Sequence, residues 1–170
     1  MIYFAFGSNM DPEQMKLRCP SHRVLDRAYL QDFDLCFPRR SPKRKCATAG
    51  IVPAQGKGVW GVLYELEASD QASLHKAEGY GHGRAPEKNR HSLEEIEVRE
   101  GSSEGAVISA HTYRARPDGT GALPSSGYMK HLIDGGRHIT TSRRPMWRNC
   151  GLSKPSAPHK KPGRRRLSAA

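Results

Sequence analysis

Long apolar runs are missing from this sequence. No stretch approaches the roughly 20 consecutive apolar residues that a membrane-spanning helix needs. The apolar run Ile2–Phe6 has no basic flank and is too short for a secretory signal. Paired cysteines are missing as well. Cys19, Cys36, Cys46 and Cys150 form no Cys-x-x-Cys and no Cys/His cluster at zinc-ligand spacing. Scattered in this way they read as reduced thiols, which excludes a disulfide scaffold and a structural zinc site. The expectation is a soluble, cytoplasmic protein with no membrane association. Acidic residues are missing from the end of the chain, since residues 137–170 hold 10 Lys/Arg and no Asp/Glu. Taking those 10 from the 28 basic residues leaves 18 against 17 acidic, so the net charge of +11 belongs to the last fifth of the sequence.

Apolar residues are also scarce, at 36% of 170 residues, and one non-folding segment accounts for that shortfall. Residues 1–150 are expected to form a single domain, long enough to bury roughly two-thirds of its unfolded surface. Residues 151–170 are expected to be a basic, disordered tail, with Lys154, Lys160, Lys161 and Arg164 to Arg166 among Pro155, Pro158 and Pro162. A basic tail, unlike a basic domain face, argues against a nucleic-acid partner. Salt-sensitive RNA binding through the tail is the alternative.

What is present is a succession of short apolar segments. Ile2 to Phe6 reads as a buried strand bounded by Gly7. Asp11-Pro12-Glu13-Gln14 starts a helix: Asp11 caps it, Pro12 suits its first position, and Gln14 stands where a capping box places its second partner. Pro20 stops it. Alternation returns at Phe33, Leu35 and Phe37, and Ala47–Val52 is a further run. Val59–Leu66 is apolar on both faces and reads as a central strand. Ser69 or Asp70 caps a helix that Gly79 ends. Ile96, Val98 and Val107–Tyr113 supply two more strands, and Pro117-Asp118-Gly119 a turn. A last helix opens at Ser125 or Ser126, with Met129, Leu132 and Ile133 on one face. Residues 80–92 read as a mobile surface loop. This order lacks regular βαβα alternation. It predicts an α+β fold with a mixed, mostly antiparallel sheet curled into a small barrel and flanked by short helices.

Three places carry possible chemistry. In Gly7-Ser8-Asn9-Met10, a strand turns into a helix, and the free N–H groups of such a turn can hold a carboxylate or an oxyanion. Ser8 and Asn9 also suit plain local capping. Ser8 lacks the context of a nucleophile elbow. Glu78 falls on the last turn of its helix, where the macrodipole disfavours a carboxylate by roughly 0.3–1 kcal/mol. Such a misfit suits a residue that takes and returns a proton, although an exposed glutamate tolerates the same position. Tyr128, on the first turn of the last helix, can offer its hydroxyl to a ligand or simply pack. His82, His91 and His131 have no partner at ligand or triad spacing.

The wording and order of these segments are more specific than any one of them. Tyr3-Phe4-Ala5-Phe6-Gly7-Ser8-Asn9-Met10 resembles the Y-G-S-N-L signature of the γ-glutamylcyclotransferase-like family, which includes the AIG2-like and γ-glutamylamine cyclotransferases. Ala28–Leu35 looks like its next strand, Val59–Tyr64 like its central strand, Glu78-Gly79 like the Glu-Gly pair of its acid/base helix, and Pro124-Ser125 through Tyr128 like its P-S-x-x-Y element. The resemblance spans about residues 2–136. Phe6 replaces the usual Tyr, the segment after Glu78 is longer and more polar, and the sequence after Gly136 departs from the family's acidic ending. The resemblance implies a small mixed β-barrel and cyclisation of a γ-glutamyl group to 5-oxoproline with release of an amine or amino acid. It implies no metal and no cofactor. Glu78 would be the acid/base, Tyr3, Phe4, Ala5, Phe6, Gly7, Ser8 and Asn9 would orient the substrate, and Tyr128 would contact its glutamyl part. The partner implied is a small γ-glutamyl compound, bound by a monomer or homodimer. A non-catalytic domain that binds γ-glutamyl ligands is the other reading.

Overall fold

The computed structural model describes residues 1–139, so the expected tail, the end of the expected domain and Cys150 lie outside the described residues. The chain runs β1 (Ile2–Ala5), a 3₁₀ turn (Ser8–Met10), α1 (Pro12–Arg18), β2 (Arg23–Ser41), β3 (Cys46–Glu65) and α2 (Ala68–Glu78). A second 3₁₀ turn (Pro86–Lys88), β4 (His91–Glu100), β5 (Val107–Ala115) and α3 (Ser126–Ile139) follow. The strands close into a barrel in the order β1-β3-β2-β4-β5. Every junction is antiparallel except β1 with β5, where Tyr3 lies beside His111 in parallel. The fold is therefore the mixed, mostly antiparallel α+β barrel that the sequence implies.

Strand periodicity sorts the core into two layers, because successive side chains point to opposite faces. Phe4, Ala28, Leu30, Val59, Leu63, Val98 and Ala110 pack together on one face of the sheet. Their neighbours Tyr3, Ala5, Val62, Tyr64 and Tyr113 pack on the other, joined by Met15 and Cys19 at α1 and Leu74 on α2. Each such large side chain contributes roughly 1.5–3 kcal/mol on burial. Burial pushes the Cys19 thiol up to about 12, which keeps it inert. A third cluster, Tyr128 and Leu132 with Cys46, fixes α3.

Several local expectations change. Phe33–Phe37, Ala47–Val52 and Val59–Leu66 belong to one long hairpin, β2 with β3, whose register shifts near Val24, Gln31 and Cys36 interrupt the alternation. Neither Ser69 nor Asp70 caps α2; Glu67 holds the cap position without a side-chain bond, and Asp70 is buried in the first turn. Gly79 does end α2, in the left-handed conformation (φ 65°) that its missing Cβ permits. On α3 the buried residues are Tyr128, Leu132, Gly135 and Gly136, while Met129 and Ile133 are half-buried. Gly135 is required by proximity, since a Cβ there would lie 2.6 Å from Met10 Cβ. The segment 80–92, expected to be a loop, contains the 3₁₀ turn Pro86–Lys88, and its last two residues open β4. Arg90 N–H donates to the Gly79 carbonyl (3.1 Å) and Gly81 N–H to Asn89 Oδ1 (3.0 Å).

Candidate active site

β1 leads into the 3₁₀ turn at one end of the barrel, and α1 follows at once. Asp11 caps α1 as expected, accepting from Glu13 N–H (3.0 Å) and Gln14 N–H (3.4 Å). Burial alone would raise the Asp11 carboxyl, but a hydrogen bond from His131 and these two N–H bonds outweigh it and hold the group below its ordinary value. Met10 and Asp11 N–H return to the Gly7 and Ser8 carbonyls. The N–H groups of Ser8 and Asn9, at the start of the turn, have no intrahelical acceptor.

Gln14 does not close a capping box. Its Nε2 donates to Ser8 Oγ (2.9 Å) and Asn9 Oδ1 (3.0 Å), and its Oε1 accepts from Arg44 on the hairpin tip. Asn9, 5% exposed, is the hub of the site. Its Oδ1 also accepts from Arg18 (2.6 Å), while its Nδ2 donates to the Tyr3 hydroxyl (2.8 Å) and to Glu78 Oε1 (3.1 Å). Donors surround the amide oxygen and acceptors the amide nitrogen, which fixes the orientation of the amide.

Glu78 ends α2 and reaches the turn across 69 residues of sequence. Its Oε1 is anchored by Asn9 and by Arg18 at 2.9 Å, and these donors offset the cost of a carboxylate at a helix C-terminus. Its Oε2 accepts no hydrogen bond from the described residues; the nearest ion-pair partner there is His91 Nδ1 at 3.8 Å. That nitrogen donates instead to the Glu78 backbone carbonyl (2.6 Å), which assigns its proton to Nδ1. Glu78 thus has one held oxygen and one available.

A cavity of about 110 Å³ lies between the turn, the end of α2 and the β2–β3 hairpin tip. Glu78 and Tyr3 line it with Gly7, Ser8, Asn9 and Tyr128. Burial first, and the Glu78 charge second, push the Tyr3 hydroxyl well above 10, so it stays a donor. Burial also raises Tyr128 and Tyr113, which line the same space. Tyr128 accepts from Ala49 N–H (2.8 Å) and carries the Arg44 guanidinium over its ring at 5.1 Å. A larger groove of about 450 Å³ runs beside Met10, Val24 and Tyr64, away from Glu78.

The structure therefore brings together Glu78, Tyr3, Phe6, Gly7, Ser8, Asn9 and Tyr128 around one cavity. Phe4 and Ala5 are not part of its lining. Phe4 is fully buried in the sheet core, and its carbonyl is taken by Thr112 Oγ1 (2.8 Å). Ser8 Oγ meets Gln14 and Arg44, neither of which is a base, so nothing activates it as a nucleophile. Two histidines do have partners, His91 at Glu78 and His131 at Asp11 (2.5 Å). Sequence reasoning missed Arg18, Gln14, Arg44 and His91. The available signal was spacing: Gln14 and Arg18, four apart on α1, share one face. Among the described residues no group of His, Cys, Asp and Glu could hold a metal ion, and no helix is long and apolar enough to cross a membrane.

A closed mixed barrel thus holds a glutamate against a Gly-Ser-Asn turn on the wall of one small cavity. The profile of the family described as γ-glutamyl cyclotransferase, AIG2-like, matches residues 3–130. The chain is 32% identical over 140 residues to the human γ-glutamylcyclotransferase, covering 80% of this chain and 70% of that one, and equally to the bovine protein. It is similar to the solved structure of a γ-glutamyl cyclotransferase, with a TM-score of 0.76 and 26% identity over 94% of this chain and 91% of that one. The chain belongs to the γ-glutamyl cyclotransferase, AIG2-like family, and is an enzyme of this type.

Proposed function

We propose that this enzyme cyclises the γ-glutamyl group of a small substrate to 5-oxoproline and releases the attached amine or amino acid, with Glu78 as general acid and base. The α-amine of the glutamyl group attacks its own γ-carbonyl carbon. Glu78 Oε2 takes two protons in turn from the attacking nitrogen, one before the attack and one after it, and passes both to the leaving nitrogen, which departs as an ammonium once the old C–N bond breaks, so the carboxylate is regenerated. The attack is intramolecular, and holding the amine against the carbonyl removes much of the entropic barrier. In this reading the N–H groups of Ser8 and Asn9 face the tetrahedral oxyanion. Tyr3 donates its hydroxyl to the glutamyl group, and Tyr128 with Arg44 bounds the glutamyl end.

The observation that carries this reading is the asymmetry of Glu78. Oε1 is fixed by Asn9 and Arg18, while Oε2, on the wall of the cavity, accepts no hydrogen bond from the described residues and has only His91 Nδ1 near it, at 3.8 Å. The test is 5-oxoproline release from γ-glutamyl-alanine by the parent and by Glu78→Gln. The variant keeps an acceptor for Asn9 and Arg18, so the fold should persist by circular dichroism. A positioned acid/base supplies roughly 10²–10⁴-fold, and kcat should fall by about that amount. Activity within threefold of the parent would defeat the assignment.

A further inference from the structure

We infer that the amine released by this enzyme is itself acidic: the preferred substrate is a γ-glutamyl-linked dicarboxylic amino acid, recognised by arginines at the rim of the cavity. This deepens the proposed cyclotransferase reading and rests on it. The cavity lining contains five arginines, Arg18, Arg39, Arg40, Arg44 and Arg90, against a single carboxylate, Glu78. Arg18 is paired with that carboxylate at 2.9 Å. Among the described residues the other four form no ion pair. Arg44 is held by Gln14 and Ser8 beside the turn, where the glutamyl α-carboxylate is expected. Arg39 spends one N–H on the Arg116 carbonyl (3.2 Å), while the side chains of Arg40 and Arg90 donate no hydrogen bond to the described residues.

The charge balance decides the substrate class. A γ-glutamyl group brings one carboxylate and one ammonium, and its ammonium faces Glu78. One carboxylate is enough for Arg44. Three guanidinium groups then remain around the mouth; Arg39 feels the Asp118 carboxylate, which accepts from Arg40 N–H (2.8 Å), while the guanidinium groups of Arg40 and Arg90 form no ion pair among the described residues. Two of the three come from the β2–β3 hairpin and one from the loop after α2, so they border the cavity from two directions. Clustered like charge repels itself unless an anion enters. Planar guanidinium forks match carboxylates in particular. An uncharged alkylamine leaving group would leave Arg40 and Arg90 uncompensated, a monocarboxylic amino acid would answer one of them, and glutamate or aspartate would answer both.

The experiment compares kcat/KM for γ-glutamyl-glutamate, its neutral isostere γ-glutamyl-glutamine, and γ-glutamyl-butylamide, each followed by 5-oxoproline release. Two or three partly exposed charge contacts of ordinary strength multiply to about tenfold. That preference for the glutamate compound over the glutamine compound is expected at low ionic strength, and it should shrink as salt is added. Arg40→Gln and Arg90→Gln should each reduce the ratio about threefold, and Arg40→Lys should keep most of it. Equal or reversed rates for the two isosteres would overturn the inference while leaving the cyclotransferase reading intact. A preference that survives both glutamine variants and high salt would also overturn it. No turnover of any of the three compounds would overturn the cyclotransferase reading and this inference together.

Discussion

Replacing Asn9 with aspartate changes one amide nitrogen into an oxygen and nothing in shape. The new carboxylate keeps the acceptor that Gln14 and Arg18 use, but it loses the donor to Tyr3 and Glu78. Two carboxylate oxygens would then face each other at the 3.1 Å now spanned by the Asn9–Glu78 bond. With both ionised, an effective dielectric near 20 gives a repulsion of about 5 kcal/mol. Placing one proton on the pair at pH 7, about three units above an ordinary carboxylate, costs about 4 kcal/mol. The cheaper route is protonation, and Arg18, within reach of both partners, lowers the repulsion of the ionised pair. The expected loss of stability for Asn9→Asp is therefore about 2–4 kcal/mol at pH 7. The folded state now holds a proton that the unfolded chain gives up. The deficit against the parent must therefore shrink as pH falls, to about 1.5 kcal/mol or less at pH 5. Urea denaturation of both proteins at the two pH values measures this, and 5-oxoproline release at pH 7 should fall with it. A deficit that is absent at pH 7, or that grows toward pH 5, would refute the claim that Asn9 and Glu78 share one hydrogen-bonded site.

Tyr128→Phe removes the acceptor of the Ala49 N–H at a buried position, and should cost about 1–3 kcal/mol in urea while raising KM for any γ-glutamyl substrate. On α3, two glycines should respond with opposite signs. Gly135→Ala puts a Cβ 2.7 Å from the Met10 carbonyl carbon and should destabilise by about 1–3 kcal/mol despite the helix propensity of alanine. Gly127→Ala meets nothing within 4 Å and should stabilise by about 0.5–1 kcal/mol, read as thermal midpoints of the pair. Asp11→Ala should lose about 0.5–2 kcal/mol of capping at pH 6. Because the Asp11 carboxyl is held below 3.8, its ionic contribution is present above that value and disappears as pH falls through the lowered one. Parent and variant should therefore converge in strong acid.

The sequence made the elements legible where local chemistry governs them. Asp11-Pro12 announces α1, Glu78-Gly79 ends α2, and Val59–Leu66, apolar on both faces, is the strand that pairs with both β1 and β2. It hid the long hairpin because register shifts at Gln31 and Cys36 break period-two alternation. The α2 cap failed for a different reason. Asp70 has the right chemistry for a cap, but the helix begins at Ala68 and buries that carboxylate in its first turn.

The site shows the same division. Glu78 and the Gly7–Asn9 turn carry their own local signals, a carboxylate at a helix end and a strand broken into a turn. Their partners carry none. Gln14 reads as half of a capping box, Arg18 lies on the last turn of α1 where a cation is locally favourable, and Arg44 lies in a basic stretch that matches no motif. Each has a sufficient local explanation, which is why nothing in the linear pattern asks for another. Closure of the barrel changes that. Once β1 lies beside β3, α1 is brought across from the end of α2, and Asn9, Arg18 and Glu78 become a triangle with no side longer than 3.1 Å between hydrogen-bonding atoms. Long-range topology, rather than residue type, thus separates a tolerated surface glutamate from a positioned one. The decisive property is that the two oxygens of Glu78 have unequal surroundings, and no sequence window around residue 78 contains it.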